Sequence, residues 1–244
     1  LIVSNLSFQY SPNAPLVLKN LNFIIPAGKV TAIVGDSGCG KSTLLKLLLR
    51  LYMPSYGEVC IGNMNINTIS LRQWRAKCGC VMQDGKVFND TIQNNIVLND
   101  EDVDYEALQQ ATQIANIAQE IERMPLVSPA TIGDMGRGLS GGQKQRLLIA
   151  RALYKKPEYL FLDEATNALD TINEQKIVQA LNSVFQNRTV IVIAHRLSTI
   201  KKADQIIVMK DGMVVEMGTH DSLMKNKRKY YELIQSQYDL GTEK

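Results

Sequence analysis

Hydrophobic and polar positions divide the chain into short apolar runs and longer segments with helical spacing. Four β-rich runs occupy the first part of the chain, namely "LIVSNLSFQY", "LVLKNLNFII", "KVTAIVG" and "YGEVCIGNMNI". Such runs, bounded by turn residues, are typical of strands. Ahead of the last run, "KSTLLKLLLRLY" is rich in helix formers and stops before Pro54, so the pattern predicts a helix there.

The middle of the chain has a helical period. Apolar residues recur at helical spacing from "DTIQNNIVLND" to "YEALQQATQIANIAQEIERM", Pro125 and Pro129 interrupt the pattern, and "LSGGQKQRLLIARAL" predicts a further helix. We therefore expect residues 84–156 to form an α-helical subdomain inserted between strands.

An alternation of strands and helices returns after residue 156. The apolar runs in "YLFLDEA" and "TVIVIAH" flank a predicted helix from Thr171 to Phe185, which is typical of strands buried on both faces of a parallel sheet. The segment "QIIVMKDGMVVEMG" then predicts a β-hairpin that turns at Asp211 and Gly212, and two polar-rich helices follow. The pattern indicates one α/β domain over residues 1–244, with residues 1–83 and 157–244 as its core.

Composition excludes several classes of protein. The chain has 244 residues, of which 45% are hydrophobic and 21% charged, as in ordinary globular domains. The longest apolar runs, such as 44–49 and 189–194, are far shorter than the roughly 20 residues of a membrane-spanning helix. A net charge of +3 does not indicate nucleic-acid binding. Four cysteines without metal-ligand spacing indicate reduced thiols in a cytosolic protein, and the missing initiator Met leads us to expect a longer parent chain.

The segment "GDSGCGKST" matches the phosphate-binding pattern GxxxxGK[ST] and lies between a predicted strand and a predicted helix. Backbone N–H groups of the loop and of the helix N-terminus would bind phosphate oxygens, Lys41 would reach the β- and γ-phosphates, and Ser42 would hold Mg²⁺. The loop also surrounds Cys39, for which we expect a lowered thiol pKa. The candidate nucleotide-binding residues are Gly35, Asp36, Ser37, Gly38, Cys39, Gly40, Lys41, Ser42 and Thr43.

Two adjacent carboxylates end the predicted strand in "YLFLDEAT". Asp163 can hold the magnesium ion through water, because Mg²⁺ loses its hydration shell reluctantly. Glu164 would then face the space beyond the γ-phosphate, where a carboxylate can orient and partly deprotonate an attacking water. The sequence therefore predicts a site that hydrolyses a nucleoside triphosphate.

With the pentapeptide "LSGGQ", the chain resembles the nucleotide-binding domain of ATP-binding cassette (ABC) transporters over nearly its whole length. The resemblance implies the cassette fold of the P-loop NTPases: a RecA-like core with a mixed sheet, an antiparallel β subdomain and an inserted helical subdomain. It also implies a head-to-tail dimer of two copies with two nucleotides between them. In that dimer Ser140, Gly141, Gly142 and Gln143 bind the γ-phosphate of the ATP held by the partner's phosphate loop.

Other family positions are carried over one at a time. Tyr10 resembles the aromatic residue that stacks on adenine, and Gln83 resembles the glutamine that contacts Mg²⁺ and water and relays contact with the membrane domain. Asp170 ends "NALD", a loop that crosses to the partner domain, where Asn167 replaces the family's usual serine. His195 matches the switch histidine that hydrogen-bonds the γ-phosphate and positions Glu164. The other histidine, His220, is expected to flank a helix cap without chemistry.

We call the pentapeptide LSGGQ, residues 139–143, the signature. The segment before it, "ATIGDMGRG", resembles the exporter loop that contacts the transmembrane helices, with Asp134 in place of the usual glutamate. Together "VMQDGKVFNDTIQNNI" and "GDSGCGKSTLLKLLL" are most similar to bacterial exporters of peptides and bacteriocins. The resemblance thus implies an ATPase domain on the cytoplasmic face of the inner membrane. Its expected partners are a second copy and the transmembrane domain of the same transporter, and no nucleic acid.

Three alternatives stay open at this point. An ABC importer subunit would normally be a free-standing chain without the exporter loop. A soluble ABC ATPase acting on nucleic acid would typically carry a coiled-coil insertion or a second cassette. A P-loop switch module with little turnover would not need Glu164 and His195. The resemblance does not indicate the transported molecule, because transmembrane helices set specificity in this family.

Overall fold

A computed structural model describes residues 1–98, 102–123, 138–163, 181, 184–194 and 197–241. Ten strands are β1 Ile2–Phe8, β2 Leu18–Ile24, β3 Val30–Gly35, β4 Tyr56–Ile61, β5 Met64–Asn65, β6 Cys78–Val81, β7 Tyr159–Asp163, β8 Thr189–Ile193, β9 Gln205–Lys210 and β10 Met213–Gly218, all within these described residues. The helices of the same ranges are α1 Lys41–Leu48, α2 Leu71–Ala76, α3 Ile92–Val97, α4 Tyr105–Ile114, α5 Ala118–Arg123, α6 Gly141–Tyr154, α7 Leu197–Lys201, α8 His220–Asn226 and α9 Lys229–Gly241.

The chain forms two compact units, one of residues 1–75 and 188–244 and the other of residues 76–187. Across the described ranges, none of the helices is both long and apolar enough to cross a bilayer. The helix predicted over residues 171–185 lies almost entirely outside the described residues, as does the exporter loop with Asp134.

The first unit contains an antiparallel sheet in the order β2–β1–β4–β5. The inner strand β1 pairs with β4 through Ser4 and Ser7, and the register shifts between these two positions. This β-bulge contains Asn5, whose φ is 49°. The opposite strand has Gly57 there, with φ 76°. A side chain at this glycine would collide with the backbone carbonyls of Ser4 and Asn5, so the bulge requires a residue without a Cβ atom.

A mixed sheet forms the core of the same unit, with strands in the order β10–β9–β3–β8. Strand β3 pairs in parallel with β8 and β9, whereas β10 is antiparallel to β9. Every residue of β8 is buried, as are four of the six residues of both β3 and β9. Burial on both faces explains the continuous apolar runs of these strands. The predicted α/β fold with an antiparallel β subdomain and a mixed sheet is confirmed.

The hairpin between β9 and β10 is also confirmed. Its two turn residues, Asp211 and Gly212, both have positive φ, 51° and 80°. Positive φ at both central positions defines the type I′ turn, whose twist matches that of the flanking strands.

Helix α1 ends earlier than the sequence predicts. Its last helical residue is Leu48, and Arg50 has a left-handed φ of 54°. The N–H groups of Arg50 and Leu51 donate to the carbonyls of Leu47 and Lys46 at 2.9 and 2.8 Å, the paired hydrogen bonds of a Schellman motif. The prediction of a helix up to Tyr52 was wrong because this motif, not Pro54, ends the helix.

In the second unit, β6 and β7 pair in parallel, with Cys78 opposite Tyr159. Helices α3 to α6 lie between these strands in the chain, where the sequence predicts helices. Gly79 of β6 lies against the backbone of Ala152 in α6. The strand pair and the long helix α6 therefore pack closely enough to exclude a side chain at this position.

Gly57→Ala should destabilise the antiparallel sheet more than Gly62→Ala. Both glycines have positive φ, but a Cβ atom at Gly62 would meet no atom within 4 Å. We expect Gly62→Ala to lower the free energy of unfolding by about 1 kcal/mol, from backbone strain alone. Gly57→Ala should lower it by about 3 kcal/mol, because a collision with backbone adds to the strain. Urea unfolding measures both, and equal losses would contradict the bulge argument.

Candidate active site

The predicted phosphate loop connects β3 to α1 in the first unit. Its three glycines, Gly35, Gly38 and Gly40, have φ angles of 152°, 78° and 102°. A side chain at Gly35 would collide with the carbonyl of Met209 in β9. Because Gly35 has no Cβ atom, the chain can leave the sheet at this point and enter α1 at Lys41, and the N-terminus of a helix favours bound anions.

Lys41, the first residue of α1, is buried with 7% of its surface exposed. Its Nζ atom donates to the backbone carbonyls of Gly35 and Asp36, both at 2.8 Å. These carbonyls compensate the desolvation of the ammonium group. The loop is therefore folded around its lysine, and the cation lies where phosphate charge is expected.

Tyr10 is half exposed and contacts the same helix. Its hydroxyl lies 2.9 Å from Oγ1 of Thr43. Its ring packs edge-on against Phe8 and Tyr52, with centroid distances of 4.9 and 5.4 Å and interplanar angles of 81° and 87°. Edge-to-face contacts with two aromatic rings fix its orientation. The structure thus brings the proposed adenine-stacking residue together with the phosphate loop.

Cys39 corrects one expectation. Its thiol is buried, and burial raises its pKa, although the nearby charge of Lys41 opposes the shift. The Lys41 ammonium lies 3.9 Å from Sγ and already donates to two carbonyls. Desolvation of the thiolate therefore outweighs the attraction, and the prediction of a lowered pKa was wrong.

The signature segment lies in the second unit, where Ser140 is the N-cap of α6. The N–H of Gln143 donates to Oγ of Ser140 at 3.2 Å, and the N–H of Ser140 donates to Oε1 of Gln143 at 2.8 Å. This reciprocal pair is a capping box. Ser140 and Gly141 are exposed, so the N-terminus of α6 faces solvent as an anion-binding terminus would.

Glu120 of α5 supports this helix terminus. Its carboxylate accepts hydrogen bonds from Nε2 of Gln143, at 3.0 Å, and from the guanidinium of Arg146. Arg146 is buried. The same carboxylate therefore orients the amide that caps Ser140 and neutralises a buried cation. Sequence reasoning missed Glu120, because a glutamate in an amphipathic helix normally indicates a solvated position.

Gln83 is exposed in the loop after β6. The loop that follows is held by Arg151 of α6, which donates to Asn95 O at 2.6 Å, Asn95 Oδ1 at 2.9 Å and Lys86 O at 2.8 Å. Its guanidinium also lies 5.0 Å from the ring centroid of Phe88. The helix that starts at the signature residues is thus bonded directly to the loop after Gln83.

Asn95 completes this network from a fully buried position. Its Oδ1 accepts from the N–H of Phe88 at 2.8 Å, and its Nδ2 donates to the carbonyls of Phe88 and Thr91, both at 3.0 Å. The sequence offered no signal for either Asn95 or Arg151, because both are ordinary helix residues until the loop is folded against them.

Asp163 ends β7 and is 2% exposed. A carboxylate at this depth must be compensated by a hydrogen bond or a cation. Within the described ranges, no three His, Cys, Asp or Glu side chains cluster as a protein-only metal site requires. The other predicted residues of the catalytic step, Glu164, Asp170 and His195, lie outside the described residues. His220 is described, and its Nδ1 lies 2.7 Å from the Tyr230 hydroxyl.

The described residues thus contain a phosphate loop folded around Lys41 and a capped, exposed helix that begins after Ser140. The sequence profile of the family described as ABC transporter matches residues 18–167, more than half of the chain. The chain belongs to the ABC transporter family. Transporters of this family hydrolyse ATP in such a domain, and this ABC domain is therefore an ATPase domain that binds ATP.

Three similar proteins place this ABC domain among the exporters. The mitochondrial iron-sulfur clusters transporter atm1 of Aspergillus fumigatus is 46% identical over 235 residues, which cover 96% of this chain and 32% of that protein. The leukotoxin translocation ATP-binding protein LktB of Mannheimia haemolytica is 44% identical over 230 residues, or 94% of this chain and 32% of that protein. A solved bacterial Atm1-family ABC exporter with ATP bound matches with a TM-score of 0.91 at 41% identity, covering 97% of this chain and 41% of that one.

This ABC domain spans about a third of the length of the curated relatives. The predicted resemblance to exporter-type nucleotide-binding domains is confirmed. The importer, nucleic-acid and switch-module alternatives receive no support from these relatives, which are by their printed names a transporter, a translocation ATP-binding protein and an exporter.

Maleimide should label Cys39 in the folded domain at least about tenfold more slowly than Cys80 at pH 7.5, because the thiolate is the reactive species. Cys80 is exposed, whereas burial raises the pKa of Cys39 and raises that of Cys78 to about 12. The labelling rates of Cys39 and Cys78 should keep rising as the pH is raised above 7.5, because the raised pKa leaves only a small thiolate fraction at that pH. Peptide mass spectrometry measures the three rates, and Cys80→Ser removes the fast phase. Fastest labelling at Cys39 would contradict this order.

Proposed function

We propose that two copies of this domain bind two ATP molecules head to tail, each copy contributing its phosphate loop to one nucleotide and its signature helix to the other. In this arrangement Tyr10 stacks on adenine and the loop binds the phosphates. Gln143 orders the signature terminus, and Asp170 lies on the loop that faces the partner. ATP binding would close the pair and hydrolysis would reopen it.

The observation that carries this proposal is the exposed capping box of α6. A serine hydroxyl has one donor and two acceptor sites. The cap uses Oγ of Ser140 as an acceptor, so its proton stays available for an anion. An uncovered helix N-terminus also attracts negative charge. The helix tip thus offers the hydroxyl, backbone amides and dipole that a γ-phosphate requires.

The proposed metal is Mg²⁺, which would neutralise charge on the β- and γ-phosphates. The hydroxyl of Ser42 and the carboxylate of Asp163 are hard oxygen donors of the kind Mg²⁺ prefers, and the ion keeps several water ligands. Gln83 would contact the ion and the attacking water. Glu164 would orient and partly deprotonate that water, and His195 would hydrogen-bond the γ-phosphate and hold Glu164 in position.

We place the domain at the cytoplasmic face of the inner membrane, bound to the transmembrane domain of the same transporter. An exposed pocket of about 350 Å³ in the second unit supports this interaction, lined by Phe88, Asn89, Asp90, Asn94 and Leu98. Phe88 and Leu98 are 54% and 49% exposed there. The pocket lies on the loop held by Arg151, so a membrane segment bound to it would act on Gln83 and on α6 together.

The proposed cargo is a peptide or protein. The leukotoxin relative supports this class, while the iron-sulfur relative has similar identity. Cells with the intact transporter should release a peptide that cells with its Glu164→Gln variant do not, as measured by mass spectrometry of the medium. Unchanged peptides with altered cellular iron would contradict a peptide cargo and favour the second class.

Glu164→Gln should keep ATP binding, lower hydrolysis by at least about a hundredfold, and accumulate an ATP-bound dimer, because the group that orients the water is lost while the charge on the phosphates remains compensated. Light scattering with and without ATP measures the dimer, and phosphate release measures turnover. Wild-type turnover in this variant would remove Glu164 from its proposed role.

A second substitution in that variant tests the contribution of the signature helix separately from that of the phosphate loop. Gly141→Asp adds a carboxylate at the first position of α6, which favours the helix itself but repels a γ-phosphate. Glu164→Gln with Gly141→Asp should therefore bind ATP and stay monomeric, whereas the neutral control Gly141→Asn should dimerise more readily. Equal dimerisation of both would refute the head-to-tail arrangement.

A further inference from the structure

We propose that Lys229, the first residue of the C-terminal helix α9, is a positioning residue for ATP binding, because it neutralises and restrains Asp36 inside the phosphate loop. This inference rests on the proposed binding of ATP by that loop. The sequence pattern of the loop leaves the identity of residue 36 open, and nothing in the pattern requires a partner from the end of the chain.

The ion pair is specific. Nζ of Lys229 lies 2.9 Å from Oδ2 of Asp36 and 3.9 Å from the carboxylate of Glu232, one turn along its own helix. The lysine side chain is 23% exposed and that of Asp36 is 51% exposed. The hydrogen bond to Asp36 raises the pKa of Lys229, and the charges of Asp36, Glu232 and Asp211 add to this effect. The loop carboxylate is thus the preferred partner among three nearby acids.

The next residue fixes the position of Lys229. The N–H of Tyr230 donates to Oε1 of Glu216 in β10 at 2.9 Å, and this carboxylate is buried. The Tyr230 side chain is fully buried, and its hydroxyl lies 2.7 Å from Nδ1 of His220. These contacts anchor the start of α9 to the core, so the backbone of Lys229 is held in position next to the phosphate loop.

Two lysines bind Asp36, one at its backbone carbonyl and the other at its side-chain carboxylate. The ammonium of Lys41 donates a hydrogen bond to the backbone carbonyl of Asp36 at 2.8 Å, and the ammonium of Lys229 binds the carboxylate of Asp36 at 2.9 Å. A carboxylate in this loop would repel the triphosphate, which carries several negative charges. Lys229 cancels that repulsion and keeps the carboxylate turned toward α9. Exposed ion pairs contribute little to folding stability, so the effect should be on ligand affinity.

The test compares five variants of the intact protein by steady-state ATP hydrolysis at low ionic strength. Lys229→Met should raise the KM for ATP about three- to tenfold with kcat within about twofold, since an uncompensated carboxylate weakens binding of an anion more than the chemical step. Lys229→Arg should retain the wild-type KM. Lys225→Met, which removes one charge from an exposed position on α8, should also retain it.

The decisive comparison adds Lys229→Met to the Asp36→Asn protein, because the lysine has no charge to compensate once the carboxylate is removed. Lys229→Met should change the KM of the Asp36→Asn protein by less than about twofold, and the defect of Lys229→Met alone should shrink in 0.5 M salt, where charges are screened. An equal rise in KM from Lys229→Met with and without Asp36→Asn would overturn charge compensation, as would an unchanged KM in Lys229→Met alone. A wild-type protein without saturable ATP hydrolysis would refute the proposed function instead.

Discussion

The close approach of Gly35 to the carbonyl of Met209 is the constraint on which the nucleotide site depends. Strand β3 runs parallel to β9 until this point, where Gly35 lies opposite Met209, and a Cβ atom would collide with that carbonyl. The chain can leave the sheet only without a side chain, and it then closes around Lys41, whose ammonium binds the carbonyls of Gly35 and Asp36. Because these two hydrogen bonds already restrict the Lys41 side chain, little further side-chain entropy is lost when an anion binds to the loop.

The sequence predicted the elements whose formation depends on residues that are neighbours in the chain. The strands of the mixed sheet followed from continuous apolar runs, and the hairpin followed from Asp211 and Gly212. The end of α1 could not be predicted in this way. Its Schellman motif places Arg50 in a left-handed conformation, and the guanidinium of this arginine donates to the carbonyls of Ile69 and Asn67, at 2.6 and 3.3 Å. Contacts with residues 17 and 19 positions away do not affect the hydrophobic periodicity of the helix, so the pattern could not predict where it ends.

The missed parts of the site share the same cause. Glu120, Arg151 and Lys229 are charged residues on helices, and each resembles a solvated surface residue until the fold brings its partner near. Desolvation has a similar effect on Cys39, where proximity to Lys41 suggested a reactive thiolate but burial determines the direction of the pKa shift. Motifs thus predicted the candidate nucleotide-binding residues, whereas long-range packing determines which residues hold those candidates in place.

Helix α6 connects the signature residues at its N-terminus to the loop that follows Gln83. Its N-terminus presents Ser140, while Arg151 near its other end binds Lys86 and Asn95 around the loop after Gln83. A helix of this length is stiff along its axis because every turn is closed by backbone hydrogen bonds. Displacement of the loop by a bound membrane segment would therefore move the signature terminus instead of bending the connection. The buried amide of Asn95 strengthens this coupling, since its hydrogen bonds would have to break in an apolar environment before loop and helix could separate.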